Sequence, residues 1–412
     1  MRILIATAHR NLTGGVEKYL QVAAAGLCSR GHELALLYEY AASPEWEKID
    51  PPEGWSRAWC LAEEPYNRAL TSIAEWHPEI VYYHGFGRME SLPVEDALLK
   101  AYPVALYAHN HDRTCGTGQK CFMFPHPEVC GRKIGPMCLL LHYPRRCGGL
   151  HPANMWRTYQ KHTALSARLP QFRAVLAASD PMRRELAQHG VHPEKLHLAT
   201  LPATGVVAGS LPPVRKPTAG NILFVGRLTN LKGADYLVRA LPLASRQLGR
   251  TLTLTVAGDG PELGKLKKLA RDLNVTAEFR GWVNSQDKLE LMRKADLLAM
   301  PSVWPEPFGL VGLEAGAVGL PAAGFAVGGV PDWLIPGQTG ELAPGDPPTA
   351  DGLANAIAKA LRDPDHYGKL SRGAWELSRQ FSLERHIENL EAIFAGCMQP
   401  AEALAGVGGS PR

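Results

Sequence analysis

The stretch EPFGLVGLEAGAVGLP, residues 306–321, sets two carboxylates, Glu306 and Glu314, eight positions apart. Pro301, Pro305 and Pro307 keep the run around the first acid out of helix. An apolar helix is expected to begin near Gly309. The N–H groups from Phe308 to Gly312 then lack partners within the helix and lie at the positive end of its dipole. That is an anion site, well suited to phosphate. Glu314 falls about one turn in, where it can accept hydrogen bonds from paired hydroxyls such as those of a ribose. Glu306, in the loop, can do the same for a sugar on the other side of the phosphates. A plainer pair of roles stays open: Glu314 as a complement to the helix dipole, and Glu306 as an exposed acid.

Two further stretches carry related chemistry. FVGRLTNLKG, residues 224–233, follows a strand and opens a helix. Arg227 offers a planar donor fork and Lys232 a point charge, both suited to phosphate. NLTGGVEKY, residues 11–19, joins the first strand to its helix through Gly14-Gly15, so backbone can approach a ligand closely. It lacks the G-x-G-x-x-G pattern, which disfavours a dinucleotide.

These stretches need elements to position them. RILIATA, HELALLYEY, EIVYYHG and PVALYAHN read as strands separated by helical stretches. The alternation restarts at NILFVG and runs through TLTLTVAGDG, TAEFRGWV, DLLAMPS and PAAGFAVGG. Strand–helix alternation implies parallel sheets with helices on their faces. The fold class is α/β, with two doubly wound Rossmann-like domains facing across a cleft. Their expected spans are 1–203 and 220–381, joined by a Pro/Gly/Ser-rich linker at 204–219. A last helix at about 382–398 packs back on the first domain. Ligands of such sheets bind beyond the carboxyl ends of the strands, and every motif above sits at such an end.

Composition adds limits. The chain has 412 residues, 45% hydrophobic and 20% charged, as in a globular protein. No run of about 18 apolar residues suggests a membrane span, and MRILIAT reads as a first strand with no leader before it. A cytoplasmic protein is expected. The net charge is +4, but residues 113–173 hold ten Lys/Arg and one acid, Glu128. This excess suits a phosphate-rich ligand or an anionic membrane surface, which would make the protein peripheral on the inner face. A solvated basic face is the plainer reading. Aromatics interleave there, yet no nucleic-acid motif accompanies them, so nucleic acid is not expected as a partner.

Together GGVEKYL, VGRLTNLKG, LTVAGDGPE, FRGWV and PSVWPEPFGLVGLEAGAVGLPAAGFAVGGVPD resemble a retaining glycosyltransferase of the two-Rossmann (GT-B) type, most closely the sugar-nucleotide-dependent family four. The E-x7-E hallmark is matched by Glu306 and Glu314. The resemblance implies that Glu314 binds the donor ribose and Glu306 the transferred sugar. Arg227 and Lys232 would hold the diphosphate, capped by backbone at Phe308, Gly309, Leu310 and Val311. Gly15 would lie near the reacting centre, and Trp282 and Val283 near the base. YAHNHDRTC places the active-site histidine at His109, with His111 as rival. The implied reaction moves a sugar, with retention, from a UDP- or GDP-type donor to a glycan or lipid-linked acceptor, as in cell-surface polysaccharide or glycolipid synthesis. The leaving diphosphate helps deprotonate the acceptor, so no catalytic metal or other cofactor is expected. Other readings are an epimerase-like enzyme of the same fold and a non-catalytic sugar-nucleotide-binding protein.

One segment stands apart. Cys115, Cys121, Cys130, Cys138 and Cys147 crowd a Pro/Gly-rich stretch. A structural zinc could order it, although no Cys-x2-Cys pair is present. Unligated thiols and disulfides are the alternatives.

Overall fold

The computed structural model describes residues 1–12, 14–203, 215–218 and 220–399. Most of the expected linker, 204–219, lies outside the described residues.

Strand β1, Arg2–Thr7, is aliphatic throughout its centre, and Ile3, Leu4, Ile5 and Ala6 are fully buried. Strands covered on both faces belong in parallel sheets. Such a sheet forms here from β1, β2 (Glu33–Tyr38), β3 (Arg57–Cys60), β4 (Ile80–Tyr83), β5 (Val104–Ala108), β8 (Ala174–Ala177) and β9 (Leu196–Leu198). Their order is β3-β2-β1-β4-β5-β8-β9, every pair parallel. A two-residue hairpin, β6 (Cys121–Phe122) with β7 (Glu128–Val129), stands outside it.

The second sheet comprises β10 (Asn221–Val225), β11 (Thr253–Ala257), β12 (Ala277–Gly281), β13 (Leu297–Met300), β14 (Ala322–Phe325) and β15 (Gly340–Ala343). Its order is β12-β11-β10-β13-β14-β15, again all parallel. Strand order reverses between β1 and β4 in one sheet and between β10 and β13 in the other. These are the switch points where doubly wound sheets open a crevice.

The helix Leu383–Met398 lies on the first domain although it follows the second in sequence. A Cβ on Gly26 would meet Ile387 Cγ1 at 2.7 Å, so only glycine lets this helix approach the helix Gly15–Ser29 so closely. Phe394 packs on Tyr82, ring centroids 5.1 Å apart. The return helix thus fastens the two halves of the chain together.

Candidate active site

Loops leaving the two switch points supply the site. Gly14 and Gly15 follow β1, His84 follows β4 and His109 follows β5. From the other sheet, Arg227 follows β10, and the run from Pro301 to Glu306 follows β13.

Glu306 is 5% exposed. Its carboxylate accepts from Lys232 Nζ at 2.5 Å and from Ser302 Oγ at 2.5 Å. Burial pushes its pKa up, but the Lys232 charge and hydrogen bond, with the Ser302 hydroxyl, more than offset this and hold it below the usual value. Lys232 ends a single 3-10 turn, Asn230–Lys232, closed by Gly233 at φ +63°. A Cβ there would stand 1.9 Å from the Pro301 carbonyl oxygen, so glycine serves both the left-handed turn and the close approach of two loops. The Trp304 ring lies 5.4 Å from the same ammonium. Arg227 is exposed, and its guanidinium has no carboxylate partner among the described residues. Of the two cations expected to meet phosphate, Lys232 is thus paired with Glu306 and Arg227 is exposed.

The helix predicted after Glu306 spans Leu310–Ala317, capped by Gly309 at φ +89°. Its first N–H groups have no partner inside the helix. Phe308 is 1% exposed, packs on Phe381 and gives its carbonyl to Trp333 Nε1 at 2.7 Å. Trp333 also fills the notch left by Gly312, where a Cβ would meet it at 2.2 Å. The helix start is thereby locked in place. Glu314 pairs with Lys288 at 2.5 Å, both side chains being nearly buried.

Glu314 and Lys288 open onto a cavity of about 770 Å³ between the domains. Its walls include Leu12, Lys18 and Trp46 from the first domain, and Trp282, Leu310 and Glu314 from the second. Trp46 and Trp282 meet edge to face across it, centroids 6.2 Å apart. This volume suits a small-molecule ligand. Burial and the neighbouring Lys288 lower the pKa of Lys18, while Glu314 and Glu47 oppose that. Arg227, Lys232, Glu306 and His109 are not among the cavity's lining residues. The cavity is the Glu314 end of the site, and the Glu306 end lies around the helix start.

On the first-domain side, no atom lies within 4 Å of where a Cβ on Gly15 would sit, so the start of that helix is open. His109 Nε2 bonds His84 Nδ1 at 2.8 Å, and its ring stacks on Tyr107 at 4.5 Å. Burial lowers His109 to about 3, so it stays neutral at ordinary pH. Burial, then the His109 charge, lowers His84 well below the usual value. His111 is 4% exposed and is engaged otherwise: Nε2 bonds the Pro305 carbonyl at 2.9 Å, and Nδ1 faces Thr114 Oγ1 at 3.4 Å. It ties the first domain to the loop that carries Glu306. Sequence reasoning missed His84 and Trp304. A signal for the first existed, since His84 and His109 each come directly after a hydrophobic strand.

Comparisons with known proteins show what this arrangement is similar to. Residues 13–199 match the model described as Glycosyltransferase Family 4, and residues 213–376 match Glycosyl transferases group 1. The two models match successive parts of the chain, each less than half of its length. The glycogen synthase of Mycobacterium tuberculosis is 39% identical over 165 residues, 39% of either chain. The D-inositol 3-phosphate glycosyltransferase of Salinispora tropica is 33% identical over 232 residues, 52% of this chain and 46% of that one. The chain therefore spans less than half the length of these curated relatives. Among solved structures, Anabaena HepE in complex with UDP and glucose superposes with a TM-score of 0.68 at 18% identity, covering 96% of this chain and 99% of that one. WaaG, a glycosyltransferase involved in lipopolysaccharide biosynthesis, gives 0.65 at 18% identity, over 96% and 100%. The fold is GT-B.

In the cysteine segment, Cys115, Cys130, Cys138 and Cys147 lie close enough for their charges to act on one another. All eight cysteines are free thiols. Among the described residues, no three of His, Cys, Asp and Glu converge as metal ligands. Cys121 turns instead toward the second domain, Sγ 3.5 Å from the Val303 carbonyl. Burial raises it to about 12, and burial with neighbouring thiols does the same for Cys147. Such thiols are poor sources of thiolate. The basic excess is also smaller at the surface than in sequence. Arg113 pairs with buried Glu95 at 2.9 Å, Lys120 with Glu185, Arg168 with Asp96 at 2.7 Å, and Arg173 bonds the Cys397 carbonyl. Those four charges serve the fold.

Proposed function

We propose that this chain is a retaining glycosyltransferase that moves a sugar from a UDP- or GDP-type donor to a glycan or lipid-linked acceptor, working at the inner face of a membrane. The observation that carries the reading is the helix start Gly309–Leu310. Glu306, Lys232 and Ser302 flank it on one side, and on the other Glu314 opens onto the interdomain cavity. The diphosphate lies on the first-turn N–H groups of Leu310 and Val311, with Arg227 and Lys232 supplying positive charge. Glu314 takes the ribose hydroxyls and Glu306 the sugar. The base lies toward Trp282 and Trp46. HepE was crystallised with UDP and glucose, which supports a donor of that class.

His109 and Gly15 line the acceptor side. A neutral imidazole held by His84 can donate or accept one hydrogen bond without bringing a charge. The carboxylates that would serve as nucleophile and acid in a retaining glycosidase are here committed to cations, Glu306 to Lys232 and Glu314 to Lys288. This supports front-face transfer, with catalysis through positioning and through stabilising the departing diphosphate. That scheme uses no metal.

The test is a melting series with UDP, GDP, ADP and CMP on the wild type and on Glu314→Ala. A nucleotide at about 100 times its Kd should add about 2.7 kcal/mol to the native state. One nucleotide should raise the wild-type Tm, and the variant should lose that rise. Flat curves with all four would sink the donor site.

A further inference from the structure

Residues 124–156 hold seven of the thirteen large apolar side chains that are exposed among the described residues. The helix Met137–Leu141 reads MCLLL, and none of its residues is buried. Leu140 is 69% exposed and Leu150 is 77% exposed. A cluster of exposed apolar side chains marks an interaction surface. The following helix, Pro152–Ala167, buries only His162 and Leu165, so Trp156 and Arg157 face outward from it. Both helices belong to one surface: Cys138 of the first and Tyr159 of the second close on Gly116, and the Tyr143 hydroxyl reaches the Leu150 carbonyl at 3.4 Å.

Charge says what the occupant is. Of the six basic residues not tied into the fold in that way, Arg145 and Lys161 are half-buried, and Arg132, Lys133, Arg146 and Arg157 are exposed on the segment that carries the apolar residues. The segment's one acid, Glu128, is paired with Arg145. We propose that this surface docks the protein on an anionic lipid bilayer, with Leu140, Leu150 and Trp156 entering the interface and the four cations meeting headgroups. Interfacial Trp and Tyr beside Lys/Arg are the pattern such surfaces use. A second copy fits badly, because an isologous pair would set the same cations face to face. A polyanion such as nucleic acid would use the charges but leave Leu140 and Leu150 in water.

The placement also serves a lipid-linked acceptor. The segment starts at His109 and crosses to the second domain through His111 on Pro305 and Cys121 near Val303. The same segment thus carries both the exposed apolar residues and contacts to the second domain.

The experiment is co-sedimentation of the full chain with vesicles of phosphatidylcholine alone or with added phosphatidylglycerol, at low and high salt. Three proteins are compared: wild type, a charge variant (Arg132→Gln, Lys133→Gln, Arg146→Gln, Arg157→Gln) and an apolar variant (Leu140→Asp, Trp156→Ser). All changes are at exposed positions, so melting curves should match the wild type. Each surface charge contributes about fivefold to binding. The wild type should bind phosphatidylglycerol vesicles only, less at high salt, and each variant should lose at least tenfold. The idea is overturned if the wild type ignores anionic vesicles, or if both variants bind as it does. It is also overturned if light scattering shows a dimer that Leu140→Asp dissolves. No nucleotide enters the assay, so its outcome is separate from that of the donor reading.

Discussion

Replacing Lys232 by Met should weaken the fold and the donor site together, and adding Glu306→Gln should restore only the fold. Glu306 is 5% exposed and Lys232 about a quarter exposed. Removing one partner of a fully buried pair costs about 3–5 kcal/mol, because the other charge is stranded. With Lys232 partly in water, about 2–3 kcal/mol is expected here. At about 2–4 °C per kcal/mol for a domain of this size, the melting point should fall by roughly 5–10 °C. The double variant has no stranded charge and should return to within about 1 kcal/mol of wild type. The effect has a pH signature. The Glu306 carboxyl sits below its usual 4.5 in the fold, so the stability it adds is present above that value. That stability is lost as pH falls through the lower folded value, so the gap between wild type and Lys232→Met should narrow in acid. Nucleotide binding should not follow this pattern. A charge-assisted contact to phosphate is worth about 1.5–3 kcal/mol, so both variants should bind the donor nucleotide roughly ten- to a hundredfold more weakly. The assay is melting with and without nucleotide across pH. If Lys232→Met melts as wild type, the pair does not anchor the loop. If the double variant keeps full nucleotide binding, Lys232 does not hold the diphosphate.

The sheets were readable because their signals are local. Aliphatic strands such as RILIA alternate with helices of regular period, and Gly309 and Gly233 mark turns that only glycine makes cheaply. The two acids and the helix start near them, and Arg227 with Lys232 in their own loop, were readable for the same reason, since each group lies within ten residues. Pairings across long separations were not. Lys288 reaches Glu314 from another helix, and Lys232 reaches Glu306 across 74 positions. His84 meets His109 only because β4 and β5 are neighbours in the sheet. The cysteine segment was legible only in part. Closeness in sequence grouped five thiols, but the hairpin turns Cys121 to the other domain. Likewise ten basic residues looked like one patch, while Arg113 and Lys120 point inward to Glu95 and Glu185. Sequence counts charges, and only the fold says which of them meet water.

Two further consequences can be measured. Gly233→Ala places a Cβ 1.9 Å from the Pro301 carbonyl at φ +63°, so it should destabilise by about 2 kcal/mol or more and lower nucleotide affinity by shifting Lys232. Urea midpoints and nucleotide melting shifts would read both, and an unchanged midpoint would refute the close approach. The last concerns acid. His109 titrates near 3 in the fold, because burial disfavours its cation, against 6.5 when unfolded. Between those values the unfolded chain takes up a proton that the fold excludes, so stability falls as pH drops below 6.5. From pH 6.5 to 4.5 this histidine alone should remove about 2 kcal/mol. His109→Phe fills similar space without a titrating group and should show that much less acid sensitivity. Equal slopes for the two proteins would mean that the imidazole reaches water, and that a cation stands at the acceptor side after all.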